Sequence, residues 1–307
     1  MAKGNMLLGM SRGSVGDVTF YRSGGSQRAR ARNRKPANPM TVRQQTQRAK
    51  FANAVKFHKQ VTSNFFRFAY EDKKVNESDY NAFMRHNVGN SGFIGAMASK
   101  IASWPALGLW EVTSGSLPEI IVAASLSNNW FTVGLGVSGE NITTIGALST
   151  ALIAQGDTWR DGDILTVLLY RATNVATLPT VDTDTDHVAS SCYMQIILNS
   201  ADNTALEEVT AILGRTEVNI QVDSADGFII TGDSSFSTAW KNDLIQCAVI
   251  HSRNTVGGLL VSTQSMVANK PQVITDALTE GGTYYNAVLA DWDAAAKAVL
   301  QGGGAAN

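Results

Sequence analysis

The apolar positions of this chain change period along its length. Asp17-Val-Thr-Phe-Tyr-Arg22 alternates, which predicts a short strand with Val18, Phe20 and Arg22 on one face. Ser23-Gly-Gly-Ser26 then supplies a hairpin turn, and 27–33 the return strand. From Thr41, a plausible N-cap, the spacing becomes helical. Phe51, Ala54, Val55, His58 and Val61 form a stripe at i, i+3, i+4, which Phe65, Phe68 and Ala69 extend toward Tyr70. Two shorter helices follow, Ser78 to Asn87 with Ser78 as cap, and Phe93 to Ser103. Beyond residue 104 the pattern is that of short strands bounded by Gly/Asn/Asp/Ser turns. They are Pro118–Ala124, Trp130–Leu135, Asp163–Arg171, Ser191–Leu198, Glu217–Val222, Gly227–Thr231, Leu244–His251 and Gly257–Ser265. An Ala-rich stretch from Thr283 to Leu300 predicts a last helix before a Gly-rich tail.

The expected fold class is therefore α+β: a basic N-terminal arm and hairpin over 1–39, and a helical segment over 40–103. A mostly β region over 104–268 then has a sandwich or jelly-roll-like form, and a C-terminal helix and tail occupy 269–307. The β region allows a division into two small sandwiches near Asn199–Thr204.

Charge changes the picture more than composition does. The chain carries a formal net charge of -1. Residues 1–60 nevertheless hold thirteen basic side chains against a single acid, Asp17, a net +12. Residues 61–307 hold 12 basic and 25 acidic residues, a net -13. Such asymmetry points to a polyanionic partner for the basic segment. In an extended chain Arg28, Arg30, Arg32 and Arg34 point one way, with Lys35 beside them. Guanidiniums in a row suit phosphate oxygens, which each can take bidentately. Arg22, Arg43 and Arg48 stand behind them as further phosphate contacts. Two plainer readings stay open: a solvated arm that aids solubility, and an arm that docks on an acidic surface of a neighbouring subunit.

Motifs for chemistry are weak. Gly134-Leu-Gly136-Val-Ser-Gly139 fits a dinucleotide string, but no helix start or βαβ alternation follows. Asp182, Asp184 and Asp186 alternate, yet His187 and Tyr193 occupy the places where a calcium loop needs Gly and Glu. Cys192 and Cys247 lie in strand-like runs and read as buried structural thiols. Arg67 sits among Phe65, Phe66, Phe68 and Tyr70, which could stack bases but fit core packing better. No catalytic residue, cofactor site or metal site is expected, nor a membrane span or a small-molecule substrate.

Gly13-Ser-Val-Gly16-Asp-Val-Thr-Phe-Tyr-Arg22, Gly25, Arg30 to Thr41 with Asn38-Pro39, and Gln45 to Ala52 form a recognisable series. It resembles the N-terminal signature of uncharacterised proteins from Bacteroides-group gut bacteria and their phages. Cys247 to Arg253 and Leu259 to Gln264 are similar to a C-terminal piece of such proteins. The resemblance implies no activity and transfers no catalytic residue; it implies a phage-derived virion component. The expected function is a capsid or virion structural protein, made in the host cytoplasm. It would self-assemble as a homo-oligomer through its β region and touch packaged nucleic acid non-specifically through its arm. The alternatives are a single-stranded nucleic-acid-binding protein, or a tail, ring or filament subunit whose arm binds protein.

Overall fold

The computed structural model describes residues 13–23, 26–32, 41–64, 66–93, 104–125, 130–137, 142–173, 188–223, 227–232, 242–290 and 292. All but Phe93 of the expected helix Phe93 to Ser103, the Asp182–Asp186 loop, Gly139, Phe65, Arg34 and Lys35 lie outside these residues. The chain forms two compact units, residues 1–41 and 42–307, and its fold is α+β.

The first unit holds a three-stranded antiparallel sheet of β1 (Gly13–Val15), β2 (Val18–Ser23) and β3 (Ser26–Ala31).

The second unit opens with α1 (Val42–Thr62) and continues through β4 (Ala69–Tyr70), α2 (Asp79–Asn87), β5 (Glu111–Ser114), β6 (Ile121–Ser125) and β7 (Trp130–Gly134). Next come α3 (Ile145–Ile153), β8 (Ile164–Ala172), β9 (Ala189–Ile197), β10 (Thr210–Leu213), β11 (Thr216–Asp223) and β12 (Gly227–Gly232). The last elements are β13 (Leu244–Thr255), β14 (Gly258–Val261), β15 (Gln264–Ser265), β16 (Val267–Ala268), α4 (Pro271–Leu278) and a helix over 283–290.

Two large sheets face each other, ordered β10-β11-β12-β7-β6 and β14-β13-β8-β9. Between them lies one core, with Phe131, Phe228 and Ile230 from the first sheet and Leu165, Leu169, Cys192 and Val249 from the second. Strands on either side of Asn199–Thr204 pair directly, β7 with β12 and β8 with β13. The place marked for a division is thus a connection inside one two-sheet body.

The second sheet is buried on one face and, over much of its length, on the other as well. Alternate residues Leu168, Tyr170, Ala172, Leu244, Ala248 and Ile250 meet a second core with Phe57, Phe83 and Trp110 from the helical layer. This explains why β8 and β13 read as nearly continuous apolar runs. Phe57 anchors the layer, stacked on Trp110 at 4.4 Å and edge-on to Tyr170 at 5.0 Å.

The helical layer corrects the sequence reading in two places. First, α1 ends at Thr62. The Thr62 and Ser63 hydroxyls donate to the carbonyls of His58 and Gln60, and the Asn64 amide turns to Ser191. These short polar groups compete with helix continuation, so Phe66 and Phe68 enter the core from extended chain. Second, the buried face of α1 is Thr46, Asn53, Ala54, Phe57 and Val61, whereas Phe51 is half exposed. Asn53 sets that rotation: its amide donates to the carbonyls of Gly92 (3.2 Å) and Leu107 (2.7 Å). Ser78 caps α2 as expected, its hydroxyl accepting from Asn81 N–H.

Candidate nucleic-acid interface

The hairpin register decides which arginines come together. β2 and β3 pair Thr19 with Arg30, Tyr21 with Arg28, Phe20 with Ala29 and Arg22 with Gln27. Directly opposite residues share a face. Arg28 and Arg30 therefore stand with Thr19 and Tyr21, roughly 7 Å apart along the strand. The Arg30 guanidinium carbon lies 5.6 Å from the centre of the Tyr21 ring, within cation–π range. Ser14 joins this face from β1, its hydroxyl 2.9 Å from that of Thr19. Arg32 follows the strand, its N–H donating to Asp17 O at 2.6 Å. Arg28, Arg30 and Arg32 are exposed, and none makes an ion pair among the described residues.

Arg43 and Arg48 lie on α1 in the other unit, both exposed. Lys56 on the same helix is partly buried, and burial pushes its amine down to about 8. The hairpin and α1 each carry exposed basic side chains.

Sequence reasoning missed a buried charged network in the two-sheet body. Asp163, just before β8, receives Arg253 Nε at 2.7 Å and Arg253 Nη2 at 2.6 Å. It also receives His251 Nε2 at 2.9 Å and Arg160 N–H at 3.0 Å. Trp159 stacks on the His251 ring at 4.2 Å. Burial pushes Asp163 up, but the Arg253, His251 and Arg160 hydrogen bonds together hold it below the usual carboxylate value. Burial lowers His251, and Asp163 only partly offsets this, so the ring is neutral. With Nε2–H donating to Asp163, Nδ1 is a bare acceptor, buried without a partner. An Asp–His pair is familiar from proton transfer, but here the imidazole is 0% exposed and capped by Trp159. The network fastens the 157–163 loop to β13. Its members are 88 and 90 residues apart, so spacing could not have revealed them.

A second cluster joins α2, β4 and β5. His86 bridges Glu111 (2.8 Å) and Asp72 (3.2 Å), and Arg85 pairs with Asp72 and Glu77. The Arg85 guanidinium is the main reason both carboxyls lie low. Among the described residues no His/Cys/Asp/Glu group has the form of a metal site. Gly136 has φ +74° and lies in the bend after β7, and the next described helix, α3, is capped by Thr144 eight residues on. Cys192 and Cys247 are buried and unpaired; burial pushes Cys192 up to about 12 and raises Cys247 well above the ordinary thiol value. Phe66, Phe68 and Tyr70 are core residues, while Arg67 between them is exposed. Among the described residues no helix is long and apolar enough to cross a membrane.

No curated protein and no solved structure matches this chain. Residues 10–129, which include the hairpin, α1 and α2, are similar to a family of unknown function (DUF6266).

Proposed function

We propose that this protein is a structural subunit of a virion, self-assembling through its β-rich body and holding nucleic acid non-specifically through its N-terminal hairpin. The observation that carries the reading is the exposed face of Arg28 and Arg30 around Tyr21, with Arg32 beside it, unpaired with carboxylates among the described residues. Guanidiniums so placed engage phosphates, and phosphates carry no base information. An aromatic ring beside them adds a sequence-tolerant stacking surface. The +12 charge of residues 1–60 supports the same reading.

The test is Arg28→Gln/Arg30→Gln/Arg32→Gln in the full chain. Binding of a mixed-sequence single-stranded oligonucleotide is measured across salt concentrations. Each lost phosphate contact should flatten the log–log slope by about 0.7, so the triple variant should lose about 2. An unchanged slope overturns the hairpin's role. Negative-stain images of the wild type test assembly.

A second reading has its own support. Residues 61–307 carry -13, so the hairpin of one copy could dock on the body of the next. It predicts salt-labile oligomers without nucleic acid, which the triple variant abolishes.

A further inference from the structure

The helical layer covers only part of the second large sheet. Where β8 begins and β13 ends, the outer face of that sheet is the floor of an open groove of about 310 Å³. This volume lies at the small end of ligand pockets. Its floor sets hydroxyl and amide groups among apolar side chains. Thr166, Gln195, Ser252 and Asn254 come from β8, β9 and β13, and the Gln195 amide donates to the Thr166 hydroxyl at 3.1 Å. Tyr193 stands on the same face, half-buried and edge-on to Phe66 at 6.1 Å. Arg67 lines the groove as its one cationic side chain. The guanidinium is exposed and makes no ion pair among the described residues. Glu71, four residues on, turns its carboxylate to the Val261 N–H (2.7 Å) and does not line the groove.

We infer that this groove binds an acidic sugar, a pyranose ring carrying one carboxylate. The charge, the hydroxyl and amide groups set among apolar side chains, and the ring each select for it. A single guanidinium matches a single carboxylate bidentately. A phosphate ligand would call for further cations, and the lining holds none. Four hydroxyl and amide side chains on a flat sheet face answer a ring of hydroxyls, since they both donate and accept. The Tyr193 ring offers an apolar surface to the C–H face of the sugar. In an open groove the floor stays wet when empty, so the specificity rests on the charge pair and not on enclosure.

The probe is galacturonic acid, compared with its methyl ester, which keeps the ring and its hydroxyls and carries no charge. Titration calorimetry uses the full chain and the Arg28→Gln/Arg30→Gln/Arg32→Gln background, so that the hairpin cannot contribute. The acid should bind at least tenfold more tightly than the ester, and Arg67→Gln should erase that preference. Asn254→Ala should weaken acid and ester alike. Arg67 is exposed, so Arg67→Gln should melt as the wild type; if it does not, the acid–ester ratio in the wild type and the Asn254→Ala result still decide. Equal affinity for acid and ester, no binding of either, or tighter binding of adenosine monophosphate than of the acid in the neutralised background overturns the inference. None of these outcomes bears on nucleic-acid binding by the hairpin.

Discussion

Replacing Asp163 by Asn probes the buried network with almost no change of shape. The carboxylate takes four N–H donors, two from Arg253 and one each from His251 and Arg160. Asparagine keeps one acceptor oxygen and turns an NH2 group toward donors that the second oxygen received. Removing one partner of a buried pair costs about 3–5 kcal/mol, because the remaining charge is stranded. Here the Arg253 side chain is still 13% exposed, so water reaches it, and the amide retains part of the bonding. The lower end, about 3 kcal/mol, is expected. The assay is urea denaturation at pH 7, read as a lower midpoint with an unchanged slope. The pH dependence has a definite sign. Asp163 lies below its ordinary value in the fold, so its share of stability is complete above about pH 4 and is lost as pH falls through the folded value. The gap between wild type and variant should therefore be full at pH 7 and close only in strong acid. His251 also lies below its ordinary value, so wild-type stability should already decline as pH falls below about 6.5, where the unfolded chain takes up a proton that the fold refuses. A variant within about 0.5 kcal/mol of the wild type at pH 7, or a gap that persists unchanged in acid, would refute the reasoning.

Two further substitutions test the packing. Phe57→Ala should cost about 3–5 kcal/mol, since the ring is fully buried between Trp110 and Tyr170, whereas Phe51→Ala on the outer side of α1 should stay within about 0.5 kcal/mol. Equal effects would place the helix the other way round. Tyr170→Phe removes the hydroxyl that accepts from Ala106 N–H (2.7 Å) and donates to Gln60 Oε1 (2.8 Å). It leaves a buried N–H unpaired and should lower stability by about 1–3 kcal/mol, with faster hydrogen exchange at Ala106.

Much of the β region was legible because its strands carry strong local signals. The run from Ile164 to Tyr170 is apolar on both sides, as a sheet clad on two faces requires. The α3 helix was not legible: Ile145 to Ile153 is apolar around its circumference, with buried Gly146 and Ser149, and offers no polar face to mark a period. The two-residue β4 and four-residue β10 are too short to show alternation. The rotation of α1 was hidden because polar Thr46 and Asn53 hold the inner face while Phe51 faces out. Asn53 belongs inside only because two carbonyls far along the chain await its amide. The same logic divides the sites. The arginines of β3 could be read directly, since neighbours in sequence make that surface. The Asp163–His251–Arg253 network and the groove beside Arg67 exist only after β8, β9 and β13 align.

The strand wall shared by both cores has a consequence for how such a chain can be inherited. The stretch similar to the family of unknown function stops at 129, between the two arms of the β6–β7 hairpin. Cut there, α1 and α2 would lose the Leu168, Tyr170 and Ala248 surface against which they close. The matched segment therefore holds only part of the second core. A relative that keeps the first part and exchanges the second must bring its own doubly covered sheet to seat it.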